Sequence, residues 1–342
     1  MPHSCNREEA RHAVECNNMK TSLQDKAAQR TSAGSEKRFL FFRRVSTIGA
    51  ALLLAGTAIA DQPVPTHPNV SYGPNPNQLM DIYLPPAGKS PAPVLLWFGT
   101  LGKPSKHQEG ASKLLPANCA VIAVQMRTLE DADKDKADPP ISYCLLDARR
   151  AVQFARLHAA EWNLDPRRFA VGGSSQASLP ALFVACGGEK ADPKAADPVE
   201  RESTKVVCAG CGIPGAALSI DPKHAQEWVP EVQWGFKVWG CTFAEALTRR
   251  EELLPKIKQW SPDWLLSRDS PPIYLHFAYG LTKPDNVKAD PYFIHSPKWG
   301  LGFQKLAREQ GATCYVDFPG HPSEKYSDLW DFMLKQLTSA PK

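Results

Sequence analysis

From Val70 to Leu337 the chain alternates short apolar runs with amphipathic stretches. Gln78-Leu-Met-Asp-Ile-Tyr-Leu84 alternates apolar and polar positions as a half-buried strand does, and the reading places strand character over Val70–Leu84. Pro93-Val-Leu-Leu-Trp-Phe98 and Cys119-Ala-Val-Ile-Ala-Val-Gln125 are instead continuous apolar runs, the pattern of parallel strands buried on both faces. Between that second run and the next strand, Leu145, Ala148, Val152, Ala155, Ala159 and Trp162 recur at steps of three and four. This spacing predicts an amphipathic helix closed by Asn163 and Asp165-Pro166. Arg168-Phe-Ala-Val171 reads as a further strand that ends in Gly172-Gly173 and passes into the apolar stretch Leu179–Ala185.

Further strands are expected at Lys205–Cys208, Pro272–Phe277 and Thr313–Phe318, with helices near Pro297–Gln310 and Ser327–Leu337. This rhythm predicts an α/β protein with a mostly parallel central sheet and helices on both faces. Between Ala216 and Asp269 it lapses into tryptophans (228, 234, 239, 260 and 264) and short charged runs. A segment of that length suits a lid inserted over the sheet, about residues 216–269.

The amino terminus belongs to another category. Arg43-Arg44 precedes the apolar run Thr47–Ala58, which ends in the small-residue pattern Ala58-Ile59-Ala60, the order of a secretory signal. The run is about a dozen residues, short of the roughly 20 that span a bilayer. We therefore expect residues 1–60 to be a leader, with Met1 or Met19 as its start, removed near Ala60. The protein is then exported to a periplasmic or extracellular site without a stable membrane anchor, and residues 61–342 form the folded domain. The leader also carries the charge. The chain has 40 Lys/Arg and 36 Asp/Glu, and taking away nine of the former and five of the latter leaves 31 of each. A neutral domain offers no electrostatic footprint for nucleic acid.

Seven cysteines lie beyond residue 60, at 119, 144, 186, 208, 211, 241 and 314. Cys208-Ala-Gly-Cys211 has C-x-x-C spacing, but no second pair or nearby histidine completes a zinc site, and two small residues at a strand end is the reading preferred. No H-E-x-x-H or clustered Asp/His suggests a metal, and no cofactor is expected.

The chemistry concentrates at Gly173-Ser174-Ser175-Gln176-Ala177. A serine hydroxyl becomes a useful nucleophile when held against a base and near donors for an oxyanion. A sharp strand-to-helix turn with small residues two before and two after the serine supplies that presentation. The register of Phe169-Ala170-Val171 puts Gly173 and Ala177 on either side of Ser175. The competing register, centred on Ser174, would put Gln176 where a small residue is needed.

These residues carry a family resemblance. Arg168-Phe-Ala-Val-Gly-Gly-Ser-Ser-Gln-Ala177 is similar, without a gap, to the R-I-A-V-x-G-x-S-A-G of carbohydrate-esterase and hormone-sensitive-lipase-like α/β-hydrolases, and within them to exported planctomycete-type proteins. Flanking segments agree, among them Leu79-Met-Asp-Ile-Tyr-Leu-Pro85, Asp147-Ala-Arg-Arg-Ala-Val-Gln153, Asn163-Leu-Asp-Pro-Arg167 and Ser270-Pro-Pro-Ile-Tyr274. The resemblance implies an α/β-hydrolase fold and hydrolysis of carboxylic esters, with a small-molecule or polysaccharide ester as substrate. Two departures stand out. Ala177 replaces a glycine, and the family's H-G-G-G loop is here Gly99-Thr-Leu-Gly102, where branched side chains restrict the backbone.

For the base, the reading favours His321 in Phe318-Pro-Gly-His-Pro322, after the last predicted strand and before the final helix. His295 is expected to cap a helix, and His276 to be a core residue. The acid should follow the strand Pro272–Phe277. Asp285 and Asp290 both qualify, and Asp290-Pro291, shortly before a helix start, is preferred. Backbone N–H groups of Gln176 and of Thr100 or Leu101 would then hold the oxyanion. Set against this serine esterase is a hydrolase-like protein that binds a ligand without turnover, which the altered loop would permit.

Overall fold

The computed structural model describes residues 63–86, 90–232 and 236–339, so the expected leader and Trp234 lie outside the described residues. Eight strands form one sheet: β1 (His67–Ser71), β2 (Leu79–Tyr83), β3 (Ala92–Phe98), β4 (Ala120–Gln125), β5 (Leu164–Ser174), β6 (Cys208–Gly212), β7 (Ile273–His276) and β8 (Cys314–Asp317). Their spatial order is β1-β2-β4-β3-β5-β6-β7-β8. Only the β1–β2 and β2–β4 pairings are antiparallel; from β4 across to β8 every pairing is parallel.

The continuous apolar runs take the centre of the sheet, and every residue of β3 is buried. Helices cover both faces because strands buried on two sides need two apolar layers over them. On one face lie α3 (Ser142–Leu157), α4 (Ser178–Cys186) and α10 (Pro297–Glu309), and on the other α1 (Ala111–Leu114) and α11 (Leu329–Thr338). Alternate residues of β5 feed the two layers, Phe169 and Val171 into the first and Ala170 into the second.

Two expectations change in detail. Val70–Leu84 is two strands, since the chain turns at 73–77 and folds back with Met80 opposite Val70. The sixth strand is not Lys205–Cys208 but Cys208–Gly212, whose five residues are all buried. Its small side chains fit the narrow space between the helical layers, and its neighbours β5 and β7 fix it as strand.

The α2 helix (Leu129–Lys134) follows β4 and opens on a reciprocal capping box between Thr128 and Asp131. Just before it, Asp147 of α3, whose side chain is 1% exposed, gathers the Arg127 guanidinium at 2.6 Å, the Arg127 backbone N–H at 2.8 Å and the Gln78 amide at 2.7 Å. One carboxylate thus joins the start of β2, the exit of β4 and α3.

Between β6 and β7 the chain forms α5 (Pro222–Trp228), α6 (Phe243–Thr248), α7 (Arg250–Trp260) and α8 (Pro262–Leu265). Two fully buried carboxylates organise this insertion. Asp221 accepts from Arg250 at 2.9 Å and from the Trp264 indole at 3.0 Å. Asp263 accepts from Ser219 at 2.7 Å, from His224 Nδ1 at 2.5 Å and from Ser261. The His224 ring lies nearly parallel to both Trp228 and Trp264, at 5.1 and 5.9 Å. Burial opposes its charge, but the hydrogen bond to Asp263 and the negative charges of Asp263, Asp221 and Glu227 prevail and raise its pKa. After β7, α9 (Ala289–Ile294) leads into α10, whose first turn is capped by Ser296.

Two outcomes follow. Asp147→Ala leaves Arg127 and Gln78 without their shared acceptor, and should cost about 3–5 kcal/mol in urea unfolding. His224 binds its proton more tightly folded than unfolded, so its contribution is complete below its ordinary value of 6.5 and is lost as pH rises through the raised folded value. Thermal midpoints should therefore fall with pH above 6.5, and His224→Gln should flatten that slope.

Candidate active site

β5 ends at Ser174, which is still extended at φ −111° and ψ 142°, and the next residue breaks the strand. Ser175 has φ +53°, in the left-handed region, and opens the single 3₁₀ turn Ser175–Ala177 that runs into α4. Such a conformation costs a non-glycine residue about 1–2 kcal/mol. The turn is so tight that a Cβ on Gly173 would lie 2.2 Å from the Ala177 carbonyl oxygen, so only glycine fits. Ser178 then donates to the Gly173 carbonyl at 3.1 Å and closes the turn. The Ser175 hydroxyl sits at the carboxyl edge of a parallel sheet and at the start of a helical segment, where backbone N–H groups point outward.

The loop after β3 approaches the same turn. A Cβ built on Gly102 would lie 3.9 Å from the Gln176 side-chain oxygen, which brings 99–102 beside the residue that follows Ser175. Within that loop the Thr100 N–H donates to Ser105 Oγ at 3.0 Å, so that donor is engaged inside the loop. Leu101 is buried, and its carbonyl accepts from Leu129 at 2.9 Å.

His321 lies past β8 on the four-residue turn Phe318–His321. Pro319 holds the second position and Gly320, at φ +88°, the third, the requirement of a type II turn. His321 N–H donates to the Phe318 carbonyl at 2.8 Å, and its exposed ring stands edge-on to Phe318 at 4.9 Å. Asp285 and Asp290 are both exposed, the first in the segment after β7 and the second in the first turn of α9. Among the described residues no hydrogen bond or ion pair joins either carboxylate to His321. His295, expected to cap the helix it opens, instead ends α9 as its C-cap, Ser296 capping α10, and its Nδ1 bonds the Ile213 carbonyl at 2.9 Å. Burial lowers its pKa.

One pair at this edge was not anticipated. His276, the last residue of β7, donates from Nδ1 to Asp317, the last of β8, at 2.6 Å. With 43% of its side chain exposed, His276 is no core residue. Nearby, Ser174 Oγ donates to Glu109 at 3.1 Å. A histidine and an aspartate each closing a predicted strand was the available signal, but it needs the pairing register to become a contact.

The family model described as BD-FAE matches residues 80–276, more than half of the 342-residue chain. The chain belongs to the BD-FAE family. That match runs from β2 to the end of β7 and includes the Ser175 turn. No curated protein matches the sequence. Among solved structures, the acetyl ester-xyloside bifunctional hydrolase from Caldicellulosiruptor lactoaceticus aligns with a TM-score of 0.50 at 19% identity, covering 70% of this chain and 76% of that one. A truncated carbohydrate esterase from gut microbiota gives 0.52 at 16%, over 80% and 96%. The bifunctional GH43-CE protein of Bacteroides eggerthii gives 0.57 at 17%, covering 79% of this chain and 38% of its own. At such identities the likeness is one of fold, and the sheet and its helices are those of an α/β-hydrolase.

In this BD-FAE chain the C-x-x-C motif is not a redox pair. Cys208 and Cys211 point to opposite faces of β6, into different apolar layers. Burial pushes the Cys211 thiol up to about 12. All seven described cysteines are free, and no group of three or more His, Cys, Asp or Glu among the described residues is placed to hold a metal.

The left-handed backbone at residue 175 has a measurable consequence. Ser175→Gly relieves the strain while loosening the unfolded chain, whereas Ser175→Ala keeps the strain. The glycine variant should be the more stable of the two by about 1 kcal/mol in denaturant unfolding.

Proposed function

We propose that the protein is a hydrolase of carboxylic esters in which Ser175 is the nucleophile. The observation that carries this reading is the φ of +53° at Ser175, on the turn out of a central parallel strand and into a helix. A nucleophile elbow holds its serine in this conformation, and here the strained residue is a serine at a sheet's carboxyl edge.

In the proposed reaction Ser175 Oγ attacks the ester carbonyl while His321 accepts its proton and later returns it to the leaving alkoxide. Asp290, or Asp285 on the preceding segment, orients the imidazole and stabilises its cation. Contacts of this kind are commonly long in a free enzyme and tighten once substrate binds, which accommodates the separation of His321 from both carboxylates. The oxyanion would be held by the N–H groups of Gln176 and Leu101, with that of Thr100 contributing once released from Ser105. The helices over 216–269 would serve as the lid.

An acyl group on a carbohydrate is the substrate class proposed, supported by membership of the BD-FAE family and by fold neighbours described as an acetyl ester-xyloside hydrolase and a carbohydrate esterase. We propose in addition export after cleavage near Ala60. No described helix is long and apolar enough to cross a membrane, which is compatible with that route. A second reading, ligand binding without turnover, is favoured by one observation: the Thr100 N–H is engaged by Ser105.

Turnover of p-nitrophenyl acetate and butyrate by the mature protein separates the two. Wild type should hydrolyse the shorter esters, Ser175→Ala should lose on the order of 10³-fold or more in kcat, and a fluorophosphonate probe should label Ser175. Activity that survives Ser175→Ala, or a label found on Ser174, would overturn the assignment of the nucleophile.

A further inference from the structure

The last row of the parallel sheet is polar, and it lies beside the Ser175 turn. Strand register sets Ser174 of β5 opposite Gly212 of β6, Gly212 opposite His276 of β7, and His276 opposite Asp317 of β8. Residues in register in a parallel sheet point to the same face. Here it is the face covered by α1 and α11, because Ala170, Cys208 and Tyr274, an even number of residues earlier on their strands, are buried in that layer. The apolar core therefore runs up this face and gives way, at its final row, to hydroxyl, imidazole and carboxylate.

The middle of the row is open. Gly212 has no side chain, and a Cβ there would lie 2.8 Å from Ser174 Oγ. Ser174 and His276 are thus separated by two strand spacings, about 9.6 Å between backbones, with no side chain from the strand between them. On the near side Glu109, exposed just before α1, accepts from Ser174 with one carboxylate oxygen and keeps the other. On the far side Asp317 accepts from Nδ1 of His276, which holds the ring and leaves Nε2 as its uncommitted nitrogen.

The groups that remain are hydrogen-bonding groups: an oxygen of Glu109 and a lone pair of Ser174, both acceptors, and Nε2 of His276. Glu109 and Asp317 add negative charge. Such a row repels carboxylates and phosphates and takes neutral hydroxyl donors, several at once. The other side of Ser175 differs: the 3₁₀ turn Gly215–Leu218, all of it buried and without a polar side chain, packs against the turn Ser175–Ala177. The polar row is therefore the side of Ser175 suited to the alcohol of an ester.

We propose that Glu109, Ser174 and His276, the last held by Asp317, form the subsite for a polyhydroxylated leaving alcohol such as an uncharged sugar ring. This rests on Ser175 being an ester-cleaving nucleophile and names the residues that select the alcohol. His276 acts by contact, and Asp317 is a positioning residue.

The test compares two acetates that differ only in their alcohol, an O-acetylated methyl glycoside and p-nitrophenyl acetate. His276→Asn keeps a donor for Asp317 and removes the Nε2 contact, while Glu109→Ala and Ser174→Ala remove the others. Each should lower kcat/KM for the glycoside about tenfold more than for the aryl ester, the worth of one ligand hydrogen bond. A binding arm needs no turnover: the O-acetylated methyl glycoside is titrated by calorimetry into Ser175→Ala protein with and without Glu109→Ala. Affinity should fall about tenfold when Glu109 is removed. Ratios that stay within twofold in all three variants, or affinity indifferent to Glu109→Ala, would overturn the subsite while leaving the esterase standing. If wild type cleaves neither ester, the esterase reading fails and the leaving-alcohol subsite that rests on it fails with it.

Discussion

The approach of residue 173 to the carbonyl of Ala177 is the constraint on which the carboxyl edge depends. A Cβ at residue 173 would stand 2.2 Å from that oxygen, so the chain leaves β5 more sharply than an ordinary strand exit and the reversal falls on Ser175. The strain, about 1–2 kcal/mol, is small beside what holds it. All nine residues of α4 are buried, and Leu179, Leu182, Phe183 and Val184 alone each contribute about 1.5–3 kcal/mol of apolar burial. β5 itself is clamped on both edges, by β3 and by β6. A helix with no polar face and a strand with no free edge leave the turn no way to relax.

Away from the centre, buried polar contacts take over the work of apolar periodicity. Asp147 fixes the segment between β4 and α3, and Asp221 and Asp263 fix the insertion between β6 and β7. Each carboxylate is fully or almost fully out of water and accepts at least three hydrogen bonds, the condition under which a buried charge can be tolerated. Their effect is geometric: they specify one arrangement for segments whose apolar content would allow several.

The sheet was largely legible because β3, β4 and β5 are long apolar runs with clear boundaries. β6 was less so, since Cys-Ala-Gly-Cys-Gly has no β-branched residue and is a strand only because its neighbours make it one. The insertion was opaque for the same reason that it is ordered: its contacts join residues such as Ser219 and Asp263, 44 positions apart, through polar groups without period. At the candidate site, the position of Ser175 on the turn was readable because a strand's two-residue period fixes which serine leaves it. His276 and Asp317 were not, because they are 41 residues apart and meet only through the register of β7 on β8. An aspartate in a loop without periodicity, such as Asp285, carries no comparable signal.

The free cysteines cast the fold as a race. Cys119, Cys144, Cys186, Cys208 and Cys211 are buried in the finished molecule, and burial raises the pKa of each, so that oxidants meet almost no thiolate. The unfolded chain has no such shelter. Under oxidising conditions these five thiols would be open to pairing with one another, and a disulfide between any two of the separated positions would have to break before the sheet could close. Burial protects them only once the sheet has closed, and a parallel sheet is a slow-forming topology. A route that delivers the chain already folded would remove the contest.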